Sequence, residues 1–230
     1  MLRWRSAVHG WRDRGVAVNL DYLINRRDRV WELTIEHLQL SFSAVLIALV
    51  FAIPLGVLAA RNRRLSTPLL GLLGAIYTIP SLAFLALLIP SLGIGRRPAI
   101  VVLAAYAQIF LVRNIAAGLR GVNPATLEAA TGLGMTRWQQ FVKVHWPLAL
   151  PVMIAGLRTA AVTIISLATV AAWIDAGGLG TLLFEGIARN SPSRILAGTI
   201  AITALALLTD FLLRFAESMT AISRARRAAG

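Results

Sequence analysis

Apolar and charged positions in this chain are sorted into long blocks. Residues 38–60 pass 23 positions without a charge and residues 65–95 pass 31. A helix needs about 20 apolar residues to cross the roughly 30 Å of hydrocarbon in a bilayer. Three more blocks, 98–118, 150–173 and 195–214, reach that length only by including Arg113, Arg158 and Asp210. The pattern predicts an all-α membrane protein, a polytopic helical bundle of about five transmembrane helices over 38–60, 68–90, 98–118, 150–173 and 195–214. No linker-like run divides residues 38–217, which are expected to form one domain.

A charge inside a bilayer faces the bundle interior, pairs, or snorkels to the headgroups. Arg113 and Asp210 fall near span ends, where snorkelling is expected. Arg158 lies deeper and needs an internal partner or an aqueous vestibule. Asp210 and Arg214 have the spacing of a pair along one helix face. Before the first span, Leu23, Val30, Leu33 and Leu38 alternate with charges at helical spacing between Tyr22 and His37, which predicts an interfacial amphipathic helix or, alternatively, a frayed leader.

The polar connection 121–147 predicts two short helices. Asn123 and Pro124 suit an N-cap and a first helical position, and Gly132 and Gly134 permit a bend after them. Thr136 and Gln139 have capping-box spacing, so a second helix is expected from there to Pro147. Trp138, Phe141 and His145 then form one stripe at the membrane interface, with His145 read as packing.

Composition agrees with the pattern. The chain is 57% hydrophobic and 14% charged, with a mean hydropathy of +0.72, whereas soluble domains run near a quarter charged. The net charge of +13 is spread over segment ends and loops, so anionic lipid headgroups rather than nucleic acid are the expected counter-charge. The absence of cysteine excludes disulfides. The first 37 residues carry seven Arg, five acids and no long apolar run, unlike a cleavable signal peptide, and the first span is expected to direct insertion.

Catalytic signatures are lacking. Lys143 is preceded by Val142 rather than by the glycine of a P-loop, and there is no HExxH, GxSxG or carboxylate–His cluster. No catalytic residue, cofactor or metal is expected. Polar groups within the spans include Tyr77, Ser81, Gln108 and Ser166; a buried amide such as Gln108 needs a partner, whereas a serine can bond back to its own helix. Pro54, Pro80 and Pro90 predict kinks.

Glu128-Ala129-Ala130, three residues, Gly134, nine residues, Val144, one residue, Trp146 and Pro147 resemble the signature loop of ABC-importer permeases; Trp146 stands where that family usually carries Leu. Ile79-Pro80-Ser81-Leu82-Ala83, Ile89 to Gly95 and Ala176 to Leu182 look like the type I importer branch for glycine betaine, carnitine, choline and related osmoprotectants. The resemblance spans roughly residues 30–220. It implies the type I permease fold, with 121–147 as a cytoplasmic loop coupled to an ATPase through Glu128, Ala129, Ala130, Gly134, Val144 and Pro147. It also implies a translocation path bordered by Tyr77, Pro80 and Ser81, with Gln108 and Ser166 as further candidates, and an external gate at Gly177, Gly178 and Gly180.

The implied partners are two ABC ATPase subunits, a second or paralogous permease, and an extracytoplasmic substrate-binding protein in which selectivity largely resides. The implied place is the bacterial plasma membrane, with the N-terminus and residues 1–37 outside and the basic tail 218–230 in the cytoplasm. Lys and Arg counts alone leave that orientation near a tie. Rival readings are amino-acid, methionine or sulfonate cargo, an ion-coupled secondary transporter, which would need ionisable groups at mid-membrane, and a membrane scaffold that recruits a cytosolic protein without transport.

Overall fold

The computed structural model describes residues 21–220, so most of the basic tail and the first 20 residues of the expected external segment lie outside it. The described residues are α-helical, with no strand. In chain order they form α1 (Asp21–Asn25), α2 (Arg27–Arg61), α3 (Arg63–Thr78), α4 (Ser81–Leu92), α5 (Arg96–Arg120), α6 (Pro124–Gly132), α7 (Arg137–Gln140), α8 (Trp146–Ala171), α9 (Gly180–Ala188) and α10 (Pro192–Ser218). A π-turn over Phe141–His145 joins α7 to α8, and a 3₁₀ turn over Ala172–Ile174 ends α8.

Four helices are long and apolar enough to cross a membrane, or five crossings if the bent pair α3–α4 counts as one. Long-range contacts fix their directions. Arg96 at the start of α5 lies by Glu36 of α2, and Arg120 at the end of α5 donates to the Ala59 and Ala60 carbonyls at the end of α2. α2 and α5 are therefore parallel, and α3–α4 must return the chain between them. α8 and α10 then cross in opposite senses, because Arg158 of α8 meets Asp210 and Glu217 of α10. Five crossings leave residue 21 at one end of the bundle and residue 220 at the other.

Two expected boundaries shift. The predicted break before residue 38 does not exist: Arg27–Arg61 is one helix of 35 residues, about 52 Å long, with Leu33 and His37 fully buried. Its first turns outrun the bilayer and pack on the bundle instead of lying flat at the interface. The predicted span 68–90 is broken rather than only kinked at Pro80, bending by 92° between Thr78 and Ser81. Pro80 cannot donate to the helix, and it biases Ile79 to the extended conformation observed, with ψ of 129°.

The core lies along the α2–α5–α8 contact, built from small and aliphatic side chains such as Ala48, Ala52, Ala107, Val112, Ala160 and Ile164. Small residues let membrane helices approach closely. At Gly156 a Cβ would sit 2.3 Å from Cβ of Asn114, so the α5–α8 crossing requires glycine there. α10 is held more loosely at its far end, where Phe211, Leu212 and Phe215 stand exposed.

Asp210 does not snorkel. It accepts from Arg158 at 3.2 Å and from Arg214 at 3.2 Å, and Arg158 also reaches Glu217 at 3.3 Å. The internal partner that Arg158 required is thus an acid from the neighbouring crossing.

Candidate coupling surface and the opposite end

The connection 121–147 is built by local chemistry. Asn123 Oδ1 accepts the Ala125 N–H at 3.0 Å, with Pro124 at the first helical position of α6. α6 ends at Gly132, and Gly134 turns the chain with φ of +75°. Thr136 and Gln139 exchange side-chain and backbone bonds of 3.3 and 2.9 Å, completing the expected capping box.

The second helix does not stop at Pro147. The π-turn bonds the Trp146 N–H to the Phe141 carbonyl, five residues back. That wider register carries the chain past a residue with no N–H that would crowd the carbonyl four back. Arg137–Ile174 is consequently continuous over 38 residues.

Only one face of α6 is anchored. Leu127 packs on the core and Ala130 is buried, whereas Glu128 and Ala129 are exposed. Gln140 braces α6 from behind, donating to Thr131 Oγ1 at 3.1 Å and to the Met135 carbonyl at 2.9 Å. Gly134 is exposed, and Val144 and Pro147 are half-buried. Glu128 is the only acid between Glu36 and Asp175, and among the described residues it makes no ion pair. Leu133 and Trp138 are 78% and 72% exposed, an apolar pair with no internal cover.

The aromatic stripe forms. Phe141 lies 6.2 Å from Trp138, 6.1 Å from His145 and 5.8 Å from Trp146, with the Arg61 guanidinium 5.9 Å above its ring. His145 is more than packing: its Nε2 bonds the Leu119 carbonyl at 2.7 Å, fastening the π-turn to the end of α5. Sequence spacing gave no sign of that partner, nor of Gln140.

The residues expected to border a path separate in space. Tyr77, Pro80 and Ser81 gather at the α3–α4 elbow. Tyr77 is edge-on to Tyr106 at 5.6 Å and to Phe110 at 5.2 Å, and the Tyr106 hydroxyl donates to the Ile79 carbonyl at 2.5 Å. Tyr106, which the sequence reading passed over, ties the broken crossing to α5; a lone aromatic in an Ala-rich stretch was its only signal. Gln108 sits in the α2–α5 contact, where Nε2 donates to the Ala48 carbonyl at 3.0 Å and Oε1 is left without a partner. Ser166 is exposed and bonds back to the Val162 carbonyl at 3.1 Å.

At the opposite end, the loop after α8 folds down on α2. Gly178 N–H donates to Glu36 Oε2 at 2.9 Å, and His37 Nε2 bonds the Ile165 carbonyl at 2.9 Å. Gly180, first residue of α9, packs against the last turns of α8, where a Cβ would meet the Thr169 carbonyl. The loop carries the short helix α9, tied to α10 by Arg194 and Glu185 at 3.0 Å.

Comparison with known proteins matches residues 52–220 to the family described as binding-protein-dependent transport system inner membrane component. Among similar chains, the glycine betaine/carnitine/choline transport system permease protein OpuCB of Bacillus subtilis is 41% identical over 182 residues, 79% of this chain and 84% of that one. The choline transport system permease protein OpuBB of the same organism is 42% identical, covering 80% and 85%. The osmoprotectant import permease protein OsmW of Salmonella typhimurium is 40% identical, covering 84% and 93%. Among solved structures, an inward-facing MetNI methionine ABC transporter superposes with a TM-score of 0.69 at 23% identity, over 87% of this chain and 96% of that one. An amino acid ABC transporter with histidines gives 0.70 at 18%, over 86% and 97%. Both share this fold.

Proposed function

The chain belongs to the family of binding-protein-dependent transport system inner membrane components, and from that membership we propose that it is the membrane-spanning permease of an ATP-driven importer for osmoprotectants of the glycine betaine, carnitine and choline class. The family supplies ATPase and substrate-binding partners, and the cargo class follows the three curated relatives near 40% identity. The observation that carries the mechanism is α6: a short helix anchored on one face, with Glu128, Ala129 and Leu133 turned outward and no ion pair to Glu128 among the described residues.

On this reading the end bearing α6 is cytoplasmic, the N-terminus is outside and the C-terminus inside. α6 enters a groove of one ATPase. A second permease copy or a paralogue completes the assembly, two ATPases lie beneath it, and the binding protein docks outside. Nucleotide-driven closure of the ATPases moves α6, and the π-turn and α8 carry that motion to the loop at Gly177–Gly180. Tyr77 at the exposed side of the elbow borders the path, where an aromatic face can attract a passing trimethylammonium group. Gln108 and Ser166 are secondary candidates, since each bonds within the bundle.

The test is uptake of labelled glycine betaine, carnitine and choline by the chain with its partners in nanodiscs, for the unmodified complex and for Glu128→Arg. Loss of uptake and of ATPase co-purification from a folded variant supports the reading. Undiminished ATP-driven uptake by Glu128→Arg removes Glu128 from the mechanism, and uptake driven by an ion gradient without any ATPase rejects the importer class.

A further inference from the structure

At the end opposite α6, one carboxylate is shared between two neighbours on different elements. Glu36 of α2 accepts the Gly178 N–H through Oε2 at 2.9 Å, and its Oε1 lies 3.9 Å from the guanidinium of Arg96, the first residue of α5. Arg96 is already turned toward α2, since its other terminal nitrogen donates to Gln39 Oε1 at 3.3 Å. Glu36 and Arg96 side chains remain 29% and 46% exposed, so water can assist their exchange.

The loop is shaped to receive that carboxylate. Gly177 and Gly178 have φ of +81° and +82°, and Asp175 before them has φ of +58°, a conformation that costs a non-glycine residue energy. A Cβ on Gly177 would lie 2.6 Å from Glu36 Oε2, and one on Gly178 would lie 3.2 Å from the His37 Cα. Two glycines thus let backbone amides close on α2, in the manner of the amide concavities that hold anions. Beneath the contact His37 is fully buried and bonded to Ile165 of α8, which leaves the loop one polar fastening on α2 that can be released without disturbing the core.

We propose that Glu36 is the positioning residue that latches the glycine loop over the outer end of the bundle, and that Arg96 takes over the carboxylate when the loop lifts. The proposal rests on the importer reading above, in which this end faces outside. Lifting the loop breaks one charge-assisted bond. A shift of about 1 Å would bring the Arg96 guanidinium from its present distance to hydrogen-bonding range, so the open arrangement tightens an ion pair in place of the lost amide bond. The loop then has two discrete resting arrangements.

Three variants separate this from a merely structural contact. Glu36→Gln keeps an acceptor for the Gly178 amide but loses the pair with Arg96; Arg96→Gln removes the second partner alone; Glu36→Ala removes both. In the complete complex, Glu36→Gln and Arg96→Gln should each lower maximal uptake by roughly 3- to 10-fold, the range set by a partly exposed pair. Melting temperature and ATPase co-purification should stay unchanged. Their double variant should be no slower than either single one. Glu36→Ala should instead raise ATP hydrolysed per solute taken up and release ATPase activity from its dependence on the binding protein.

Arg96→Gln at full uptake, or additive losses in the double variant, would overturn the latch. So would a Glu36→Ala complex that loses uptake and hydrolysis in proportion while melting early. Should Glu36→Ala fail to assemble, the Glu36→Gln and Arg96→Gln pair decides alone. An unmodified complex that takes up solute without ATP would reject the importer reading and the latch together, whereas the outcomes above overturn the latch alone.

Discussion

The two ends of the bundle are finished differently. Around Glu36 and His37 the loop after α8 is tied down on α2 through the Gly178 amide, and glycines at 177 and 178 let its backbone approach. Around Glu128 the carboxylate, Leu133 and Trp138 face outward, with no ion pair to Glu128 among the described residues. One end ties a loop down on the bundle; the other holds a short helix out from it. Crowding the tightly packed glycine loop should cost stability, whereas altering the outward face of α6 should cost a partner.

That contrast orders the expected outcomes. Gly178→Val introduces a branched side chain at positive φ against His37 and should cost on the order of 3 kcal/mol, read as a lower melting temperature of the detergent-purified chain. Arg158→Ala leaves Asp210 and Glu217 sharing a site without their common cation. About 1–2 kcal/mol is expected after allowing for the partial exposure of that network, with Asp210→Asn in the same chain restoring part of the loss. His145→Ala removes the bond to Leu119 and should cost about 1 kcal/mol. Glu128→Ala should leave the melting temperature within about 0.5 kcal/mol of unchanged, yet sharply reduce ATPase retained in a pull-down. A Glu128→Ala chain that melts as early as Gly178→Val would erase the distinction between the two ends.

What was legible in the sequence was local or cumulative. Asn123, Pro124 and the Thr136–Gln139 box announce their helices because a cap is settled within four residues, and uncharged length announces a crossing because the bilayer demands it. The size of a bend was not legible: Pro80 announces a kink, but residues 65–95 are apolar throughout, and hydropathy does not record that the turn at Ile79-Pro80 reaches 92°. Partners far along the chain were hidden for the same reason. Arg158 declared that it needed a counter-charge, but Asp210 is 52 positions away and looked like an end-of-helix residue; Tyr106 and His145 each spend a polar atom on a carbonyl of another segment, and nothing in their own neighbourhood says so. Pro147 misled because the rule that proline ends a helix assumes an i to i−4 register, which the π-turn abandons.

The same π-turn has a mechanical consequence. By carrying the helix through Pro147 it makes Arg137–Ile174 a single rod of 38 residues, about 57 Å from tip to tip. A rod has no joint in which to dissipate rotation: pivoted near one tip, a tilt of about 5° sweeps the other through about 5 Å. The Trp138 tip lies beside α6 and the Ile174 tip runs straight into Asp175-Ala176-Gly177-Gly178, so this one beam is both the handle and the finger of a lever.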